Sequence, residues 1–416
     1  MSPHPEHPGP IMIVTGFFPP RPGGGSETLR ALLHWLDPRE YVVVTAGSPP
    51  DEARTTPVTG ATVHRVSWAL PVRWRGHQLA ETLQIPLAAV RAARLARRMR
   101  CRVILGVCPD LQFMAVAYLA HRLTGLPLAV YLLDLIREVG HRGYLGALAG
   151  WLHSRIVEEA RPLWAVTPAM VDHLRATSPA PVELLRHCYN EAIPDEPPAP
   201  QSGGRGLDVC FGGAVYDVNA TSLARVVRAV GQTPGARLNL CGPTPSAVLE
   251  RHGLMAPHVR PAFFGERREL LAFLAAQDVL VACLSWPDES SMGVDELATI
   301  FSTKIREYLA QGRPILVHCP EQYFLARFMR EHDCAWVVSE RSEGAIAAAL
   351  QHIQTDVVTR RRRCVNALAA ARGFAGARVA GQFRASLAER GWGPRASIAS
   401  PATPTLPVAD QPNPQR

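Results

Sequence analysis

The chain has 416 residues, a length that favours two or three domains over a single core. Hydrophobic residues make up 47% and charged residues 19%, as in ordinary globular proteins, and no apolar run reaches the ~20 residues that span a bilayer. Most of the net charge of +8 lies in residues 1–190, but it is too diffuse to indicate a nucleic-acid-binding protein.

The first half alternates strand-like and helix-like segments. Apolar runs typical of parallel strands buried on both faces occur at 11–15, 41–46, 61–67, 102–107, 127–133, 163–167 and 182–186. A helix is expected at 26–36, where leucines recur on one stripe behind Ser26, a candidate N-cap. The alternation predicts a doubly wound α/β domain over residues 8–190.

The second half repeats this organisation after a linker at 191–206 that is rich in proline and glycine. Strands are expected at 207–212, 236–241, 258–264, 278–284, 313–318 and 334–338. We therefore predict a second domain over 207–392, whose last helix can pack back on the first domain, and a disordered tail at 393–416. Two Rossmann-like domains would face each other across a cleft and bind ligands at the carboxyl ends of their strands.

Each half opens with a glycine-rich turn between a strand and a helix. The first is GFFPPRPGGGSE at 16–27, with Gly24 and Gly25, and the second contains Gly212 and Gly213. Glycines let the backbone approach a ligand closely, and a helix N-terminus offers free N–H groups to an anion. Neither turn has the G-x-G-x-x-G spacing, so ordinary turns without a ligand remain an alternative.

The segment FSTKIREYLAQGRPIL at 301–316 is predicted to be a helix that ends at Gly312. It contains Lys304, the one lysine among 44 cationic residues, and Glu307 three residues later on the same face. At the edge of a cleft, this face would offer an ammonium to a diphosphate and a carboxylate to the hydroxyls of a ribose. A surface ion pair would explain the same spacing.

Together, the segments at 16–27 and 302–316 resemble the retaining glycosyltransferases of the GT-B fold, family 4, over roughly residues 11–390. The run from Glu307 to Ile315 is similar to the family's E-A-x-A-x-G-x-P-V segment, so the resemblance assigns Glu307 to the donor ribose. The Ser/Thr-Lys lead-in is similar to a subgroup that acts on surface polysaccharides and related glycans.

The resemblance implies that a sugar moves from a nucleoside-diphosphate donor to an acceptor with retention of configuration. Lys304 and the two glycine turns (Gly24, Gly25, Gly212 and Gly213) would hold the donor diphosphate and stabilise the leaving group. The leaving phosphate itself would take the acceptor proton. We expect no cofactor beyond the nucleotide-sugar co-substrate and no metal.

The sequence departs from the family pattern in two places. Thr299 stands where the family's usual first glutamate lies, eight residues before Glu307. The segment GGAVYDVNATSL at 212–223 lacks the arginine and lysine that usually follow the second glycine turn. Lys304 is therefore expected to take over part of the diphosphate contact.

Acidic residues near the predicted cleft supply further candidates. The loop 285–300 contains Asp288, Glu289, Asp295 and Glu296, and we expect Glu289 to bind the donor sugar. Asp134 ends a predicted strand where the family often has an Asp or His that contacts the acceptor or the transferring sugar, so Asp134 and Lys304 are the candidate catalytic residues. A solvated loop and a helix N-cap are the alternatives, and a glycoside hydrolase with paired carboxylates would leave the phosphate-binding features unused.

A run of arginines without acids occupies 86–102, namely Arg91, Arg94, Arg97, Arg98, Arg100 and Arg102. On a helix they lie opposite a narrow apolar stripe. This helix can pack on its own sheet, or it can rest on an anionic membrane beside a lipid-linked acceptor. We therefore expect the acceptor to be a glycan, a lipid-linked molecule or a small molecule.

The remaining signals concern compartment and metals. The nine cysteines include no CxxC pair, and the fifteen histidines show no HExxH spacing, so we expect reduced thiols and no metal site. The start of the chain has no apolar leader, and we expect a cytoplasmic protein, peripheral at the inner face of the membrane if the arginine helix binds lipid. Two rival functions remain: an inactive nucleotide-sugar-binding partner of another transferase, and a GT-B sugar-nucleotide epimerase.

Overall fold

The structure, a computed structural model, describes residues 9–19, 21, 23–47, 62–66, 82–136, 143–199 and 206–392. Thirteen β-strands in these ranges form two parallel sheets, and each strand lies within a segment that the sequence predicts as a strand. The predicted fold class, two doubly wound Rossmann-like α/β domains, is confirmed.

The first sheet has seven strands in the order β3-β2-β1-β4-β5-β6-β7. They are β1 (Ile11–Thr15), β2 (Tyr41–Ala46), β3 (Thr62–Val66), β4 (Val103–Val107), β5 (Leu128–Leu132), β6 (Leu163–Ala165) and β7 (Val182–Leu184). Its helices are α1 (Gly24–Leu33), α2 (Ile85–Arg98), α3 (Leu111–Thr124), α4 (Gly143–Glu159) and α5 (Pro168–Thr177). The central strands β1, β4 and β5 are buried along their whole length, as expected where helices cover both faces of a parallel sheet.

The second sheet has six strands in the order β10-β9-β8-β11-β12-β13. They are β8 (Leu207–Gly212), β9 (Ala236–Cys241), β10 (Val259–Ala262), β11 (Val279–Cys283), β12 (Ile315–His318) and β13 (Trp336–Val338). The helices of this half are α6 (Asp217–Gln232), α7 (Ser246–Arg251), α8 (Arg267–Ala275), α9 (Val294–Thr299), α10 (Thr303–Gln311), α11 (Phe324–Glu331), α12 (Glu343–Thr355), α13 (Val357–Ala371) and α14 (Gly376–Glu389).

The strand order reverses direction once in each sheet. In the first sheet β1 lies between β2 and β4, and in the second β8 lies between β9 and β11. Connections on the two sides of such a switch point leave opposite faces of the sheet, which opens a crevice at the carboxyl ends of these strands. Both glycine-rich turns therefore follow a switch-point strand.

The last helix, α14, packs against the first domain although it follows the second. Its buried residues Val379, Ala380, Phe383 and Leu387 belong to the hydrophobic core of the first sheet. The ring of Phe383 lies 5.1 Å from that of Trp164. The core of the first domain is thus built from residues near both ends of the described chain.

One helix boundary differs from the sequence expectation. Ser26 is not an N-cap, because α1 begins at Gly24 with Gly23 as its cap, and the helix ends at Leu33. Gly23 has a φ of 139°, which glycine adopts readily, and as the cap it starts the helix three residues earlier than a cap at Ser26 would. The predicted tail at 393–416 and the linker residues 200–205 lie outside the described residues.

Candidate functional site

The N-terminus of α1 faces the second domain. A Cβ atom placed on Gly24 would lie 3.4 Å from Oγ1 of Thr303, and one on Gly25 would lie 3.7 Å from Cδ1 of Leu133. The start of α1 is therefore held between the start of α10 and the end of β5. The side chain of Ser302, which N-caps α10, makes no capping hydrogen bond. Two helix N-termini thus point their partial positive charge into one cleft, where an anion is favoured.

Lys304 stands in the first turn of α10. Its Nζ lies 3.9 Å from the centre of the Phe211 ring, at the end of β8. Burial lowers the pKa of Lys304 to about 8, so the side chain remains mostly protonated at neutral pH. Among the described residues it forms no ion pair, in contrast to the many paired arginines. A cation that is partly stripped of water and lacks a carboxylate partner favours binding of an anionic ligand.

The second glycine turn makes room for this lysine. Gly213 has a φ of 113°, and a Cβ placed on it would lie 3.2 Å from both Cε and Nζ of Lys304. The N–H of Gly212 donates to the Tyr308 hydroxyl at 2.6 Å, and that of Gly213 donates to the Cys241 carbonyl at 2.7 Å. These two N–H groups are already used within the protein. Gly213 therefore contributes space for the ammonium group rather than a free N–H group.

Glu307 lies one turn after Lys304 but its carboxylate is paired. Arg267 Nη1 on α8 donates to Glu307 Oε1 at 2.6 Å, and the same guanidinium contacts Glu191 at 2.5 Å and Glu27 of α1 at 3.3 Å. Burial opposes the charge of Arg267, but these carboxylates outweigh it and raise its pKa. Arg267 is thus a fixed cation that joins the first domain, the linker and α10. The assignment of Glu307 to a ribose stays a prediction.

Asp134 follows β5 at the carboxyl edge of the first sheet, as the sequence analysis expects. Its carboxyl group lies beside that of Glu296, on α9 of the second domain. Glu296 is 2% exposed, and its Oε2 accepts a hydrogen bond from the Leu135 N–H at 2.6 Å. Burial raises the pKa of Asp134.

Glu289 lies in a separate polar cluster. Its carboxylate pairs with Arg225 of α6 and accepts the Trp286 N–H at 3.1 Å. The guanidinium groups of Arg225 and Arg341 lie 5.0 and 5.2 Å from the centre of the Trp286 ring. Glu289 thus anchors the loop that follows β11, and its contact with a donor sugar stays a prediction.

The arginines of α2 lie on the outer surface. Arg91, Arg94, Arg97 and Arg98 are exposed, while Ala88, Ala89, Ala92, Ala93 and Ala96 are buried against the first domain. The helix therefore packs on its domain through alanines and presents arginines to solvent. Leu87 of the same helix is also exposed, as are Tyr144 and Trp151 of α4.

Sequence reasoning did not identify Arg267 or the partnership of Asp134 with Glu296. Arg267 stands beside a second arginine at the start of an ordinary amphipathic helix, and no local pattern distinguishes it. Among the described residues, no cluster of three or more metal-ligating side chains occurs. In the same part of the chain, no helix is long and apolar enough to cross a membrane.

Comparison with family models finds one match, in the first domain. Residues 23–188 match the family model described as "Glycosyl transferase 4-like domain", which covers most of the first domain. No curated protein matches the sequence.

Solved structures match almost the whole chain. HepE of Anabaena in complex with UDP-glucose has a TM-score of 0.68 at 16% identity, covering 92% of this chain and 100% of HepE. Sucrose-phosphate synthase of Thermosynechococcus elongatus has a TM-score of 0.67 at 16% identity, covering 92% and 98%. A putative UDP-N-acetylglucosamine 2-epimerase of Listeria monocytogenes has a TM-score of 0.56 at 11% identity, covering 91% and 96%. At these identities the likeness shows the fold: two Rossmann-like domains arranged as in GT-B glycosyltransferases.

Proposed function

We propose that the protein is a glycosyltransferase of the retaining, family 4 type. It would move a sugar from a nucleoside-diphosphate donor to a glycan, lipid-linked or small-molecule acceptor, within the surface-polysaccharide subgroup. The observation that carries the proposal is the Lys304 ammonium, which no carboxylate of the described residues pairs, beside two helix N-termini at the cleft. The first domain matches a glycosyltransferase family model, and HepE, with the same fold, was crystallised with UDP-glucose.

The donor diphosphate would lie against Lys304 and the first turns of α1 and α10. The pKa of Lys304, lowered to about 8 by burial, would rise again when a dianionic group binds beside it. Glu307 would accept hydrogen bonds from the ribose through the oxygen that Arg267 leaves free. Because Arg267 fixes the carboxylate in place, little side-chain entropy would be lost on binding.

In the transfer step the bond between the anomeric carbon and the diphosphate breaks, and negative charge grows on the leaving oxygen. Lys304 and the helix N-termini would stabilise that charge without reorganising, because the fold already holds them there. The leaving phosphate would take the proton of the acceptor hydroxyl, so no strong protein base and no metal are required. Asp134 would contact the acceptor or the transferring sugar.

Peripheral binding at the inner face of an anionic membrane is a further part of the proposal. It is supported by the four exposed arginines of α2 and by exposed Leu87, Tyr144 and Trp151 on the same domain. Arginines attract anionic headgroups, and aromatic side chains favour the membrane interface. A lipid-linked acceptor would then be presented next to the cleft.

The experiment that tests the function is release of the nucleoside diphosphate from a panel of UDP-, GDP-, dTDP- and ADP-sugars by the purified chain. An active transferase releases one of these diphosphates slowly by hydrolysis and faster with a glycan acceptor, and the α- or β-configuration of the product reports retention. A protein that binds a donor but releases nothing with any acceptor extract would be the inactive partner instead.

The epimerase is favoured by one observation, the neighbouring carboxyl groups of half-buried Asp134 and buried Glu296 in the cleft. The structural likeness to a putative sugar-nucleotide epimerase supports the same alternative. Reversible isomerisation of the donor sugar without an acceptor would identify it. A glycoside hydrolase is disfavoured, because its two catalytic carboxyl groups are about 5 Å or more apart. Those of Asp134 and Glu296 lie side by side instead.

A further inference from the structure

A cavity of about 150 Å³ lies in the second domain, away from the cleft. Its wall includes Leu207, which opens β8, and Asp278 and Pro314, which directly precede β11 and β12. These three strands are parallel, so their amino ends lie at one edge of the sheet. Lys304 and the second glycine turn lie at the opposite edge, beside the end of β8. The cavity is therefore separate from the proposed nucleotide site.

The linker, the turn after α10 and the helices α12 and α13 supply the rest of the wall. Most of these residues are small or apolar, namely Pro197, Pro198, Ala199, Gly312, Ile353, Val357 and Cys364. An apolar cavity of this volume is large enough to hold a benzene ring. Val357 is 57% exposed, so a ligand can enter from solvent.

Arg313 is the buried cation of this cavity. It is 3% exposed, and it donates from Nε to the Ala275 carbonyl at 2.7 Å and from Nη1 to the Ala199 carbonyl at 2.8 Å. Within the described ranges, its Nη2 makes no hydrogen bond and its guanidinium has no carboxylate partner. Because a buried charge is costly unless it is paired, this guanidinium favours an anion beside it.

Two further arginines of the wall belong to α13. Arg360 donates to two backbone carbonyls in the last turn of α12, at 3.1 and 3.3 Å, and forms no ion pair with a described residue. Arg361 pairs with Glu196 of the linker at 2.8 Å. The acid of the described wall is Asp278, whose Oδ2 already accepts the Asp208 N–H at 2.9 Å. Positive charge therefore exceeds negative charge around an apolar space.

We propose that this cavity binds a small carboxylic acid that carries one aromatic ring. The ring would occupy the apolar space, and the carboxylate would lie against Arg313 and Arg360. A planar carboxylate matches the fork of a guanidinium group, whereas a phosphate dianion would bring a second charge whose dehydration is costly. The ligand would join the linker to α13 at the end of α10 that is distant from Lys304. The proposed transfer reaction does not use this site.

The test uses phenylacetate as the probe and the purified full-length chain without nucleotide. Phenylacetamide has the same shape without the charge, and acetate has the charge without the ring. Titration calorimetry and ligand-observed NMR at pH 7, where the acid is ionised, measure the Kd of each. Phenylacetate should bind about tenfold more tightly than phenylacetamide, because hydrogen bonds to a charged group are stronger than neutral ones. Acetate should bind weaker still, because it buries no ring.

Two arginines of α13 give a matched pair of variants. Arg360→Gln removes a charge from the cavity wall and should weaken binding of phenylacetate about tenfold while leaving phenylacetamide unchanged. Arg362→Gln makes the same change at an exposed arginine that pairs with Asp333 and does not belong to the described wall, and it should leave both ligands unchanged. Cys364→Leu puts a larger side chain into the cavity and should weaken both ligands, with urea unfolding as the check on its fold.

The inference is overturned if phenylacetate does not bind, or if it binds no better than phenylacetamide. Equal effects of Arg360→Gln and Arg362→Gln would also overturn it, since the carboxylate would then lie elsewhere. If Cys364→Leu does not fold, the two arginine variants still decide the question. None of these measurements involves a nucleotide, so their failure is distinct from failure of the proposed function.

Discussion

Replacing Lys304 by methionine tests the diphosphate site most sharply. The change keeps the length of the side chain and removes its charge, and the apolar end can still pack on Phe211. A hydrogen bond to a charged group contributes about 1.5–3 kcal/mol, against about 1 kcal/mol for a neutral pair. Lys304→Met should therefore weaken binding of the nucleoside diphosphate by about 2 kcal/mol, or roughly 30-fold. Binding of the nucleoside alone should not change, because base and ribose contacts remain.

The same substitution should stabilise the fold. The pKa of Lys304 is about 8 in the folded protein, against a usual value of 10.5, so the unfolded chain binds more protons between these values. The wild-type free energy of unfolding should accordingly rise as pH increases from about 8 to about 10.5, and this rise should disappear in Lys304→Met. At neutral pH, the free energy of unfolding of Lys304→Met should exceed that of the wild type by at most about 3 kcal/mol. The partial exposure of the lysine side chain in the wild type reduces this gain.

Calorimetry with the diphosphate and the matching nucleoside, combined with urea unfolding at several pH values, measures both effects. Lys304→Arg should recover only part of the binding, because Gly213 leaves space for a narrow ammonium and a wider guanidinium meets that backbone. The reasoning would be refuted if Lys304→Met weakened binding of the nucleoside and of the diphosphate equally, or if it lowered the free energy of unfolding. Gain of stability with loss of binding is typical of a functional residue rather than a structural one.

Three further changes test the rest of the site. Glu307→Gln should weaken donor binding about tenfold, with little further loss for a 2′-deoxyribose donor, since both changes disrupt one interaction. Gly213→Ala should destabilise the fold by about 1–3 kcal/mol and weaken diphosphate binding, because its φ of 113° and its contact with Lys304 disfavour a Cβ. Neutralising three arginines of α2 should reduce binding to phosphatidylserine vesicles at low salt, and added salt should have the same effect on the wild type. These arginines are Arg91, Arg94 and Arg98.

Each of these variants has a matched control. Glu191→Gln removes another partner of Arg267 but leaves Glu307, so equal losses in both variants would mean that Glu307 only supports the ion cluster. Gly265→Ala places its Cβ in open space and should be silent. Neutralising three exposed arginines of the second domain should leave vesicle binding unchanged, and a wild type that ignores vesicles at low salt would end the membrane proposal. These controls are Arg251, Arg260 and Arg268.

The fold could be predicted from the sequence because parallel strands buried on both faces leave continuous apolar runs such as IMIVT and YVVVTA. The end of α10 was also predictable, since Gly312 adopts the left-handed conformation that a helix C-cap favours. The start of α1 was not, because three consecutive glycines can enter a helix or precede it. Local sequence does not distinguish these cases.

The partners of the site residues depend on the packing of the two domains. Lys304 was identified because it is the one lysine of the chain, a signal that needs no structure. The Arg267 contact with Glu307 and the Asp134 contact with Glu296 join residues that are far apart in sequence and show no local spacing pattern. Only the packing of α8, α9 and α10 against the start of α1 and the end of β5 brings them together.

The central claim is that the cleft between the two sheets binds a nucleoside diphosphate. The most direct measurement is the thermal unfolding of the purified chain with UDP, GDP, dTDP or ADP, repeated with Lys304→Met. One of the four diphosphates, at about 100 times its Kd, should stabilise the wild type by about 2.7 kcal/mol. At the same concentration, that diphosphate should stabilise Lys304→Met far less. If none of the four raises the unfolding temperature of the wild type, or if the variant responds as the wild type does, the site described here is not a nucleotide site.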